Sequence, residues 1–211
     1  MIFTDRRDAG RKLAGMLEKF QNQPNTIVIG LPRGGVVVAC EAARRLNLPL
    51  DIIVPRKIGA PGNDELAIGA ITEEGEAVLD EILVRELNVA PEYIAKTVAK
   101  EKQEAQRRLK LYRGGRGPLS LQDKTAILID DGIATGATMR AAIRSAKNKK
   151  AKKIIVAVPI IAPDTLNKLR AEADEIIYLD APMFLGAIGA FYEEFSQTED
   201  EEVIELMREK I

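Results

Sequence analysis

Apolar residues recur at helical spacing near the start of the chain. Leu13, Met16, Leu17 and Phe20 fall on one side of a helix predicted over residues 4–20, with Thr4 as its cap and Pro24-Asn25 as the break beyond it. The period then changes. Residues 26–31 form a short apolar run rich in β-branched side chains, which predicts a strand. It ends at Pro32-Arg33-Gly34-Gly35, and residues 36–46 return to a helical pattern. The same strand, turn, helix order recurs at 125–129 and 138–148. Further strands are predicted at 50–54, 153–159 and 175–179, with a helix at 164–171 between the last two. Strands this continuously apolar, alternating with helices, predict an α/β fold, a doubly wound and mainly parallel sheet covered on both faces.

Three stretches depart from that rhythm. Gly59-Ala60-Pro61-Gly62-Asn63-Asp64 is so rich in turn formers that it predicts a mobile loop, with a hairpin beyond it whose arms are 67–71 and 77–79. Pro91 opens a highly charged segment to Tyr112, with Ile94, Val98, Ala105 and Leu109 along one side and Glu104 four residues before Arg108. This predicts a largely exposed helix. Thr198 and Glu201 have the spacing of a capping box before a last helix through Val203, Leu206 and Met207. The chain is read as one domain over 1–211, with a core at about 22–180, a lid at about 56–80 and a hood from about 81–118 and 181–211.

Composition narrows the chemistry. A chain of 211 residues, 46% hydrophobic, buries one real core. Lys plus Arg, at 31, nearly cancel Asp plus Glu, at 32, so no broad field favours nucleic acid or an anionic membrane as partner, and any phosphate needs a local site. Charged residues crowd the N-terminus and no long apolar span follows, which reads as cytoplasmic. Cys40 is the only cysteine, so neither an intrachain disulfide nor a cysteine-cluster zinc site can form. The chain has no histidine, which removes Ser-His-Asp and Cys-His sites, the HExxH zinc signature and an imidazole base. Reactions driven by positioning and charge stabilisation remain.

One string carries such chemistry. Asp130-Asp131-Gly132-Ile133-Ala134-Thr135-Gly136-Ala137-Thr138 follows the strand 125–129, at the end of a parallel sheet where ligands bind. Gly132 and Gly136 let backbone N–H groups approach an anion, and Thr135 and Thr138 add hydroxyl donors at a helix start. The two adjacent carboxylates can accept hydrogen bonds from a vicinal diol or help to hold a hydrated cation. Phosphate donors beside diol acceptors fit ribose 5-phosphate, while the plain alternative is a turn and helix cap. Neither a Walker A loop nor a GxGxxG fingerprint is present here.

The string resembles the phosphoribosyl diphosphate signature of the type I phosphoribosyltransferases. The resemblance implies that Asp130 and Asp131 face the ribose 2′- and 3′-hydroxyls and that Gly132, Ile133, Ala134, Thr135, Gly136, Ala137 and Thr138 wrap the 5-phosphate. Ala134 stands where the hypoxanthine-guanine type carries an Asp, and is more like the adenine type. Arg33, Gly34 and Gly35 correspond to the diphosphate loop, which in that family often contains a cis peptide. Arg56-Lys57 and the glycines after it resemble the basic pair and closing loop of the adenine enzymes, with Asp64 and Glu65 in the lid region. Plain connection and a solvated basic pair are the respective alternatives. A lid has a physical purpose, since departure of diphosphate leaves an oxocarbenium-like sugar that water would trap.

Phe184 and Tyr192, in the apolar segment 181–192, are candidates for a base-stacking wall, with core packing as the alternative. The resemblance covers roughly 26–179 and is closest to a bacterial and archaeal branch of the class. It implies Mg²⁺-dependent transfer of a 5-phosphoribosyl group to a nitrogenous base in nucleotide metabolism, a homodimer, and catalytic roles for Arg33, Arg56, Lys57, Asp130 and Asp131. The metal would be held by Asp130 and Asp131 through water. A regulator that binds phosphoribosyl diphosphate or a nucleotide without chemistry is the alternative function.

Overall fold

A computed structural model of the protein describes residues 1–209; Lys210 and Ile211, at the end of the predicted hood, lie outside the described residues. The central sheet is built from β1 (Thr26–Gly30), β2 (Leu50–Ile52), β6 (Thr125–Ile129), β7 (Lys153–Ile160) and β8 (Glu175–Asp180). Their order is β2-β1-β6-β7-β8 and every neighbouring pair is parallel. Gly30 stands opposite Ile129, and the Leu31 N–H donates to the Ile129 carbonyl at 2.9 Å. The turns that follow β1 and β6 therefore leave the sheet at one level.

Successive strand residues point to opposite faces, and both faces are dry. Val28, Ile127, Ile129 and Ile155 pack against α1 (Arg6–Met16), α2 (Gly34–Leu46) and α7 (Asp200–Arg208). Ile27, Ile29, Leu128 and Val156 pack against α5 (Ala137–Asn148) and α6 (Pro163–Leu169). This is the doubly wound fold that the apolar runs predict. Among the described residues no helix is long and apolar enough to cross a membrane.

The region predicted as a mobile loop and hairpin is more regular than expected. β3 (Arg56–Ala60), β4 (Asn63–Ile71) and β5 (Ala77–Leu79) form a separate antiparallel sheet in that order, and the turn between β3 and β4 is reduced to Pro61-Gly62, with Gly62 at φ +75°. The hairpin arms form as predicted, within β4 and as β5, but Gly59, read as a turn former, lies inside β3, and glycines in this sheet sit where strands crowd. A Cβ at Gly59 would lie 2.8 Å from the Asp64 Cα, and one at Gly69 would lie 2.5 Å from the Val78 carbonyl oxygen. The sheet also has a core of its own. Ile58, Ala60, Ile68 and Ile71 pack with Val89, beside α3 (Glu81–Glu86), and with Ile94 and Val98 of α4 (Pro91–Arg113). Residues grouped by sequence into lid and first half of hood thus share one apolar cluster.

Two caps also differ. The cap of α1 is Asp5, whose carboxylate accepts from the Asp8 N–H at 2.7 Å, in place of Thr4, and α1 ends at Met16. At α7 the capping box does not form: Glu199 is the cap residue and makes no side-chain cap bond, while Thr198 is buried. Asp200, Glu201 and Glu202 occupy the first turn instead, where the helix dipole favours negative charge.

Candidate active site

Two loops that are far apart in sequence meet beyond the carboxyl ends of β1 and β6. The first contains a cis peptide between Pro32 and Arg33 and runs directly into α2. The second begins at Asp130. Their contact is so close that a Cβ on Gly34 would overlap the Asp131 Oδ2, and one on Gly35 would lie 2.8 Å from the Asp130 Cα and 2.9 Å from the Ile129 carbonyl oxygen. Both glycines are required by this approach, whatever else they do.

The loop from Asp130 to Thr138 is braced from below by the end of β7. The Ile133 N–H donates to the Ile160 carbonyl at 2.8 Å, and the Ala162 N–H donates to the Ile133 carbonyl at 2.9 Å. The Thr165 hydroxyl donates to the Ala134 carbonyl. Ile133 is buried, so its side chain belongs to the core and only its backbone can face a ligand. Ala134 and Thr135 are exposed, and Gly136, at φ +80°, turns the chain into α5. The left-handed conformation explains glycine there. Ala137 and Thr138, at the start of α5, are half-buried. The result is an irregular, outward-facing loop over a helix N-terminus, a geometry suited to a phosphate.

Asp130 and Asp131 form the acidic side of the same site. Burial, and then the neighbouring Asp131, push the Asp130 carboxyl well above the usual carboxylate range. Burial also raises Asp131, and Arg6 partly offsets it. The Asp131 N–H donates to Asp130 Oδ1 at 2.9 Å. Among the described residues no three His, Cys, Asp or Glu side chains gather to hold a metal. Two acids under mutual repulsion do suit a cation that takes its other ligands from substrate and water.

The predicted basic residues are less closely gathered. Arg33 is turned toward the start of α7, with Nη1 3.5 Å from Glu199 Oε2 and 3.6 Å from Asp200 Oδ1. The Tyr112 hydroxyl and nearby arginines, Arg33 among them, hold the Asp200 carboxyl below its ordinary range. Arg56 donates to Glu101 Oε2 at 2.9 Å. Arg56 and Lys57 line a cavity of about 720 Å³ with Asp64, Tyr93, Lys96 and Lys100, and residues 130–138 do not line it.

The two aromatic candidates also separate. Tyr192 is 6% exposed, packs against Phe3 and Phe195 at ring-centroid distances of 5.3 and 4.9 Å, and donates its hydroxyl to the Asp131 carbonyl at 2.6 Å. In this position it supports the acid pair and presents no open ring face to a base. Phe184 is 87% exposed, next to the equally open Met183.

Sequence reasoning missed Arg6. Its Nε donates to Asp131 Oδ2 at 2.7 Å across 125 residues of chain. An arginine among the charges of the N-terminus gives no local sign of such a contact.

A family model described as the phosphoribosyl transferase domain matches residues 4–191. Two Mycobacterium tuberculosis proteins provisionally named phosphoribosyl transferases are 42% identical over 203 residues, covering 96% of this chain and 46% of theirs. The chain therefore spans about half the length of the curated relatives it matches. Among solved structures, TT1426 of Thermus thermophilus is 39% identical with a TM-score of 0.81, covering 98% of each chain. A hypoxanthine phosphoribosyltransferase of Staphylococcus aureus, 14% identical with a TM-score of 0.50 over 93% of this chain and 88% of its own, is similar in fold.

Proposed function

Because this chain belongs to the phosphoribosyl transferase domain family, we propose that it transfers a 5-phosphoribosyl group from phosphoribosyl diphosphate to a nitrogenous base and releases diphosphate. The observation that carries this reading is the meeting of the Pro32–Gly35 turn with the Asp130–Thr138 loop at the ends of adjacent parallel strands. One loop suits a diphosphate, the other a sugar phosphate, and the bond to be broken joins those two parts of the donor.

A ring nitrogen of the acceptor attacks C1 of the ribose, and any proton it carries passes to water. The bond from C1 to the diphosphate oxygen breaks, and diphosphate leaves with the electron pair. Asp130 and Asp131 accept hydrogen bonds from the ribose hydroxyls, and the backbone of Gly132 to Thr138 with the hydroxyls of Thr135 and Thr138 holds the 5-phosphate. Arg33, with Arg56 and Lys57 from the second sheet, neutralises the leaving group after exchanging its present carboxylate partners for the ligand. Asp130 and Asp131 would hold Mg²⁺ through water, and the ion would supply charge neutralisation for diphosphate. Catalysis by alignment and electrostatics is compatible with a chain that has no histidine. A cytoplasmic setting belongs to the same reading, since a donor this highly charged does not cross a membrane unaided.

The test is diphosphate release from phosphoribosyl diphosphate and Mg²⁺ with a panel of purine, pyrimidine and other nitrogenous acceptors. Turnover with at least one acceptor is expected, lost in Asp130→Asn, Asp131→Asn. No turnover above that double variant for any acceptor sinks the enzymatic reading. Calorimetric binding of the donor without turnover would identify the non-catalytic regulator.

A further inference from the structure

Arg6, the first residue of α1, joins three segments of the site. Its Nε donates to Asp131 Oδ2 at 2.7 Å, and its Nη1 donates to the Ser196 carbonyl at 2.7 Å. Its guanidinium carbon lies 3.8 Å from the centroid of the Phe195 ring. The Arg6 side chain is only 12% exposed. A guanidinium bonded on two sides and stacked on a ring face has little rotational freedom left, so the carboxylate it grips is fixed as well.

Asp131 is thereby held at three points. Its N–H donates to Asp130 Oδ1, its carbonyl accepts from the Tyr192 hydroxyl, and its carboxylate accepts from Arg6. Of these, the Arg6 contact alone brings a positive charge to a pair of adjacent acids. The position is also central to the site, since a Cβ on Gly34 would lie 2.6 Å from the Arg6 Nε. Arg6 thus stands at the seam between the Pro32–Gly35 turn and the acid pair.

We infer that Arg6 is a positioning residue that orients the Asp131 carboxylate toward the ribose hydroxyls of a phosphoribosyl ligand, an inference that rests on the reading of the site given above. The segment bearing Phe195 and Ser196 acts through Arg6, as its ring platform and its second hydrogen-bond acceptor. The consequence is selective. Binding of a ribose-bearing ligand depends on Arg6, whereas binding of diphosphate alone does not. Lysine retains the charge but cannot bond Asp131 and Ser196 together with one planar fork.

The experiment is calorimetric titration of ribose 5-phosphate, and separately of inorganic diphosphate, each in the absence of divalent cations, so that no ion held by the acid pair couples the two ligands. The proteins compared are the wild-type chain, Arg6→Gln, Arg6→Lys and, as control, Arg45→Ala, which removes an exposed contact to Glu18. Arg6→Gln is expected to weaken ribose 5-phosphate by about tenfold or more, the usual scale of a lost charge-assisted hydrogen bond. Diphosphate affinity stays within about twofold, Arg6→Lys recovers part of the loss, and Arg45→Ala matches wild type. Unchanged ribose 5-phosphate binding in Arg6→Gln overturns the inference, and so does an equal loss of both ligands. Thermal denaturation checks folding, and if Arg6→Gln does not fold, Arg6→Lys is judged by the same ratio of the two affinities. A wild-type chain that binds neither ligand overturns the phosphoribosyl reading itself, which is a different result from a wild type that binds and a variant that binds equally.

Discussion

Gly34 carries more of the site than its size suggests. An added methyl group overlaps Asp131 Oδ2 and crowds Arg6 Nε, and neither side chain can retreat freely, because Arg6 is tied to Ser196 and stacked on Phe195. Gly34→Ala is expected to abolish measurable ribose 5-phosphate binding and to cost about 1–3 kcal/mol of stability, the usual scale of overpacking. Calorimetry and urea denaturation test the two halves separately; normal ligand affinity would show that the contact is not needed. Cys40 has a different residue-scale signature. It is fully buried in α2, and burial pushes its thiol from an ordinary 9.0 up to about 11. The folded thiol holds its proton longer than the unfolded one, so its contribution to stability is intact below pH 9 and is lost as the pH rises toward 11. Iodoacetamide at neutral pH is expected to leave the native protein unmodified and to alkylate it in urea. Rapid native alkylation would contradict that burial.

Among the elements, α4 ties the two sheets together. Its first half packs on the antiparallel sheet, and its last residue, Arg113, donates to Asp51 Oδ2 of the edge strand β2 at 2.7 Å. Both side chains are buried, and the Arg113 Nε has no hydrogen-bond partner among the described residues. Removing one member of such a pair leaves the other charge unpaired. Arg113→Ala is therefore expected to cost about 3–5 kcal/mol, read as a lower urea midpoint at unchanged slope. A shift within about 0.5 kcal/mol would mean that α4 is held by packing alone. The existence of α4 was legible from Pro91 and the Ile94, Val98, Ala105 spacing, because a helix period is a property of neighbours in sequence. The hairpin arms 67–71 and 77–79 were legible too, as the second half of β4 and as β5, but β3 and the first half of β4 were not. Gly59 and Asn63-Asp64 read as turn formers, and only the approach of another strand makes glycine necessary inside one.

For the molecule as a whole, the two sheets should differ in how readily they open. The central strands are covered on both faces by two large apolar clusters, whereas β3, β4 and β5 share one small cluster with α3 and the first half of α4. Local opening free energy follows the amount of buried apolar contact. Hydrogen exchange is expected to be faster throughout β3–β5 and α3 than in β1, β6 and β7. Equal protection would mean that the anchoring of Glu73 and Glu74 by Lys149 makes the two bodies one cooperative unit. Such an opening mode would suit a lid that admits donor and then excludes water.

The chain by itself determined the parallel sheet, the end of the strand from which the Asp130–Thr138 loop leaves it, and the residues that loop presents. Each depends on residues a few positions apart: apolar runs, a strand ending in two acids, glycines before a helix. Tertiary structure alone decided what meets that loop. Arg6 reaches Asp131 from 125 residues away, Tyr192 turns inward to hold the same acid, and Arg33 faces Glu199 and Asp200. These contacts are set by how α1, α7 and the segment between β8 and α7 pack around the sheet. A residue's local sequence does not encode which distant side chain will share its buried space.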